Sequence, residues 1–136
     1  MISKNLIAAF VSFCFLLSIV VIGISFGLYL SIFSVVLIPA IILQVYAAIK
    51  AFKQHPQYTL WIMLSSLAFL GFSLLRPDTD QHGPFNGYTA LVYHLGASET
   101  EHVQPWAYSL EVALLLILAQ IFINTYILRG FGKIPR

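Results

Sequence analysis

The chain has 136 residues, of which 60% are hydrophobic and 9% charged, with a formal net charge of +2. An ordinary soluble domain carries about 25% charged residues, and a chain this short keeps much of its surface wet when it folds. The composition therefore excludes a soluble globular enzyme, a nucleic-acid binder and a disordered tail, and points to a small membrane protein.

From Asn5 to Ile49 there is no Asp, Glu, Lys, Arg or His. As one helix this run would be roughly 68 Å long at about 1.5 Å per residue, against a hydrocarbon core of about 30 Å. It must therefore double back, and Gly23, Ser25, Gly27 and Ser31 mark the weakest helical stretch. The spans predicted from this are residues 6–26 and 28–49. The first is expected to be a retained anchor, because no small-x-small site precedes a polar start. Cys14, the single cysteine, lies inside it and cannot form an intramolecular disulfide.

A polar link, 50–56, leads to a third span at 59–75, which the Arg76-Pro77 pair should end, since proline disfavours helix in the residue before it. A loop of about 30 residues, 76–105, is long for a compact bundle, where connections usually take about 2–8. A fourth span is predicted at 106–128. The fold expected is all-α: a single membrane domain over 1–136, built as an antiparallel four-helix transmembrane bundle with a short amphipathic helix in the outer loop.

Four spans place Lys4, Lys50, Lys53, Arg129, Lys133 and Arg136 on one side and only Arg76 opposite. The positive-inside rule makes that side cytoplasmic, with both termini there, in an inner (plasma) membrane. Tyr46, Tyr58, Trp61, Tyr126 and Phe131 fall near the inner boundary, and Tyr29, Trp106 and Tyr108 near the outer one, as amphipathic rings prefer.

Polar residues within the spans are few. Gln44 and Asn124 lie at nearly equal depth, and Gln120 is one turn deeper than Asn124 on the same helix face. With Pro39, which is expected to kink the second span, they read either as helix-packing groups or as the lining of a pore. Glu111, the one acid within a span, should reach the outer interface, where Arg76 is its expected ion-pair partner.

The outer loop is the best candidate for a specific role. Asn86 is predicted to cap a short helix and Gly96 to end it, with Tyr88, Leu91, Val92 and Leu95 forming one apolar face on the outer surface or dipping between the spans. Asp78-x-Asp80-x-His82 is the nearest approach to a metal motif, with His94, Glu99, Glu101 and His102 as further donors. Standard zinc and calcium spacings are missing, so a solvated acidic turn is expected instead. His55 reads as exposed, and the outer histidines offer a pH-sensing alternative.

Absent residues narrow the function. No carboxylate lies at mid-span for proton coupling, no paired cysteines for disulfide chemistry, no histidine in a span for haem, and no protease set in the bundle. No catalytic residue, resident metal or cofactor is therefore assigned. The main expectation is a non-catalytic integral membrane subunit, of the accessory, defence or stress-sensor, or toxin-immunity type. It would bind the lipid bilayer and form a homo-oligomer or membrane complex, with Arg76, Asp78, Asp80, His82 and Glu111 as its contact residues. The inner segments are short, so any cytoplasmic output needs a separate protein partner. The alternatives are a small oligomeric transporter or channel lined by Pro39, Gln44, Gln120 and Asn124, and a membrane enzyme with its site under the outer loop, drawing on His82, His94, Asp78, Asp80 or Glu111.

Overall fold

Each long apolar run is helical in the computed structural model, which describes residues 3–25, 27–54, 56–80, 83–96 and 110–130. Helix α1 spans Lys4–Ile24. Ser3 caps its start by accepting the Leu6 N–H at 3.2 Å, and Ser25 caps its end with an N–H donated to the Val21 carbonyl. The chain reverses between α1 and α2, where the weak helix formers Ser25 and Gly27 stand, and α2 begins at Leu28. It continues to Gln54, so most of the expected polar link is helical. It stops just short of Pro56, whose ring disfavours helix in the residue before it. A 3₁₀ turn at Pro56–Tyr58 leads into α3, Thr59–Leu75, which matches the predicted third span.

Beyond α3 the structure differs from the expected loop. Residues Pro77–Asp80 (β1) and Gly83–Asn86 (β2) form an antiparallel hairpin, with Pro77 opposite Asn86 and Asp80 opposite Gly83. Helix α4, Gly87–His94, follows directly. Its predicted ends hold. The Asn86 side chain accepts the Thr89 N–H at 2.9 Å, the Thr89 hydroxyl side chain accepts the Asn86 N–H at 3.0 Å, and Gly96 takes a left-handed φ of 105°. Helix α5 is Leu110–Gly130, while residues 106–109 of the predicted span lie outside the described residues.

Among the described residues, three segments are long and apolar enough to cross a membrane: α1, Phe33–Lys53 of α2, and α5, each 21 residues. Helix α3 is equally apolar but has 17.

Helix α3 is the centre of the assembly, packed against both α1 and α5, while α2 rests on α5 and α3. Side-chain pairings give the directions. Ser65 meets Asn124 and Trp61 meets Tyr126, so α3 and α5 run antiparallel. Gln120 reaches Ala40 and Asn124 reaches Gln44, so α2 and α5 run parallel. Val11 clusters with Ile62, and Ile22 with Phe69 and Phe72, so α1 runs parallel to α3.

The buried positions of α5 are Ala113, Ile117, Gln120, Asn124 and Ile127. Those of α2 include Leu37, Ala40, Gln44, Ala47 and Ala51. Both sets alternate steps of three and four, the narrow seam of left-handed helix packing. Seven of these ten seam positions are small or polar, with Leu37, Ile117 and Ile127 between them, whereas the outward positions are large and apolar: Gln44 is 2% exposed and Phe122 74%. Water would select the reverse distribution.

Helix α4 buries the side that the apolar pattern did not single out. Gly87, Thr89 and Ala90 face inward, whereas Tyr88 and Leu95 are exposed and Leu91 and Val92 half-buried. Close approach explains this. A Cβ at Gly87 would fall on the Ser73 carbonyl and Val21, so only small residues fit where α4 meets α1 and α3.

Candidate functional site

Two buried polar assemblies occupy this frame. The first lies at the end of α3 under the hairpin. Arg76 is fully buried, although long cations rarely are unless paired. Its Nη1 donates to Asp78 Oδ2 at 3.2 Å, and its Nη2 donates to both the carbonyl and the hydroxyl of Ser25, each at 2.8 Å. The Ser25 hydroxyl passes its own hydrogen to the Val21 carbonyl at 2.6 Å. Arg76 thus neutralises the carbonyl end of α1, the negative end of its dipole.

Asp78 occupies the complementary place. It is fully buried, accepts the Thr79 N–H at 2.8 Å, and lies so close to Gly27 that a Cβ there would overlap its carboxylate. Gly27 immediately precedes α2, so the carboxylate sits at the positive end of that helix. Arg76 and Asp78 together hold the end of α1 and the start of α2. Burial pushes the Arg76 guanidinium down from its ordinary value, opposed by the Asp78 charge and hydrogen bond. Arginine stays charged even so. Arg76 Nε is buried without a hydrogen-bond partner among the described residues.

This arrangement corrects two expectations. The partner of Arg76 is Asp78; Glu111 lies exposed in the first turn of α5, where a carboxylate suits the helix N-terminus. Asp78 is also not a solvated turn residue, because the hairpin carries it into the interior. His82 and the Asp80 side chain lie outside the described residues, as do Glu99, Glu101 and His102. Among the described residues no three His, Cys, Asp or Glu side chains gather as a metal site requires. His94 is exposed, with Nδ1 2.9 Å from the Ala90 carbonyl.

The second assembly joins α2, α3 and α5. Gln44 is its hub. Its Nε2 donates to Ser66 Oγ at 2.8 Å, and its Oε1 receives Asn124 Nδ2 at 2.9 Å and Gln120 Nε2 at 3.1 Å. The Ser65 hydroxyl stands 2.7 Å from both Gln44 Oε1 and Asn124 Oδ1 and shares its single hydrogen between them. Gln120 Nε2 also donates to the Ala40 carbonyl at 3.0 Å, and Ser66 returns its hydrogen to Ile62 within α3. Gln120 Oε1 is the one buried amide oxygen without a hydrogen-bond partner among the described residues.

Gln44, Gln120 and Asn124 thus come together as the depth comparison suggested, and Ser65 and Ser66 join them. Pro39 does not: it is exposed on the outside of α2. The network contains no charge and no activated nucleophile. It ties three helices together, each interhelical bond contributing about 0.6 kcal/mol on average.

At the opposite end from the Arg76–Asp78 pair, Tyr126 meets Tyr58 edge-to-face and Trp61 at a tilt, with ring centroids 6.2 and 5.6 Å apart. Two surface cavities open in that half. One of about 370 Å³ separates α1 from α2, and one of about 340 Å³ lies on α5 beside Tyr126 and Arg129. Comparison with protein-family models, with curated proteins and with solved structures finds no match to this chain.

Proposed function

We propose that the chain is a multi-pass protein of an inner (plasma) membrane, in which α1, α2, α3 and α5 all cross as an antiparallel four-helix transmembrane bundle. In this reading both ends lie on the cytoplasmic side, where the cations collect, and the hairpin and α4 form an outer cap. The protein acts as a non-catalytic subunit that assembles with a second copy or another membrane component. The cap presents the contact surface, through the exposed Tyr88, Tyr93 and Leu95 of α4 and its C-terminal end.

The observation that carries this reading is how the buried polar groups are used. Arg76 and Asp78 hold helix ends, and Gln44, Gln120, Asn124, Ser65 and Ser66 bond one another. Their bonds favour a packed interior over a polar path, and they offer no site for chemistry on a substrate. A four-residue deficit in length against the other spans is no obstacle to α3, since about 17 residues is the lower limit for crossing and the bilayer can thin locally.

Extraction in mild detergent followed by cross-linking and mass measurement tests the role. Oligomers or a co-purifying protein are expected. A strictly monomeric chain without a companion would overturn it. So would ion flux through proteoliposomes that disappears when Gln120→Leu and Asn124→Leu are combined, since that would make the network a lining.

A further inference from the structure

The cavity between α1 and α2 is walled by Ala8, Val11 and Ser12 on one side and Ala48, Phe52 and Lys53 on the other. It exists because α1 packs on α3 while α2 packs on α5, which leaves the two sequence neighbours apart. The α1 wall carries small side chains at Ala8 and Ser12, one turn apart, so the groove stays open along the helix. At about 370 Å³ it falls within the range of ligand-binding clefts. Its walls are apolar and its exposed mouth is cationic. Lys53 lines it directly, and Lys4, also exposed, precedes Ala8 by one turn on the same face of α1.

The sequence places no Asp or Glu anywhere in residues 1–77, so no acid from either wall competes for these lysines. An apolar slot between two lipid-facing helices, ending in cations at the inner boundary, matches one chemistry: an acyl chain joined to a negatively charged head.

We infer that this groove between α1 and α2 holds an anionic phospholipid of the cytoplasmic leaflet, its acyl chain along Ala8, Ser12 and Ala48 and its phosphate at Lys53 and Lys4. The inference rests on the chain spanning a membrane as proposed above. It adds a defined lipid partner to that reading.

The test uses the full chain reconstituted in phosphatidylcholine vesicles carrying spin-labelled phosphatidylglycerol or spin-labelled phosphatidylcholine. Failure to insert would overturn both the membrane reading and this one. Once inserted, the wild-type chain should immobilise phosphatidylglycerol in preference to phosphatidylcholine, with each lysine contributing about a fivefold preference. Lys53→Gln should lower that preference by about fivefold. Arg129→Gln, an equal loss of charge on α5, should leave it nearly unchanged. Ser12→Phe, an exposed position that disturbs no buried packing, should displace the bound lipid.

Equal losses in Lys53→Gln and Arg129→Gln would mean diffuse surface attraction and would overturn the site while leaving the membrane reading intact. The same holds if Ser12→Phe changes the oligomer size without changing lipid retention, since the groove would then seat a second copy.

Discussion

The middle of the bundle and its hairpin end both bury polar side chains, but by different means. At the middle, neutral amides and hydroxyls share one another's bonds, and Gln44 alone has four contacts across helices. A donor that loses one acceptor there has another nearby. At the hairpin end, two full charges are buried, each held by the other and by a helix terminus. A charge stranded there has no substitute. The first region should therefore tolerate change gradually and the second abruptly.

The sharpest contrast is expected for Asp78→Ala, which leaves the Arg76 guanidinium buried beside Ser25 alone. Breaking one side of a buried pair costs about 3–5 kcal/mol, readable as a fall in the unfolding midpoint in detergent. Replacing both members, with Arg76→Met and Asp78→Leu together, should recover much of that loss, because a packed apolar pair is often neutral relative to a buried ion pair. If the double variant is no better than the single, the dipole contacts matter more than the pair.

Gly27→Ala comes next, since its Cβ would strike the Asp78 carboxylate; overpacking of this kind costs about 1–3 kcal/mol by the same measurement. Gln44→Leu should cost about 2 kcal/mol, the sum of several interhelical bonds of about 0.6 kcal/mol each. A loss exceeding that of Asp78→Ala would reverse the ranking of the two regions. The smallest effect belongs to the outer face. Phe122→Ala should change stability by about 0.5 kcal/mol or less, because the side chain exchanges protein contact for none.

The sequence exposes these regions unequally. The uncharged stretch from Asn5 to Ile49, longer than one crossing, located the turn at 25–27, and the limits of α3 followed from Pro56 and Pro77. The meeting of Gln44 with Gln120 and Asn124 was readable from distance to the flanking cations. The seam itself was not visible as hydrophobic periodicity, because alanine, serine and amide side chains share the inward positions while large apolar residues such as Leu115 and Phe122 face outward. The Arg76–Asp78 pair was missed for a different reason. Reading 76–86 as loop hid the two-residue period that places side chains i and i+2 on one strand face. For α4, an apolar stripe was taken as the buried side, but the available space admitted only Gly87, Thr89 and Ala90.

The account depends above all on lipid being the solvent of the outward side chains, with α3 crossing it between two aqueous faces. Labelling with a membrane-impermeant maleimide on intact cells tests this directly, in a chain whose Cys14 is replaced by Ser. Leu95→Cys, just beyond α4, should react from outside, whereas Lys53→Cys and Arg129→Cys should react only after permeabilisation. Labelling of the Leu95 and Lys53 positions from the same side would mean that α3 does not cross, and would contradict the account.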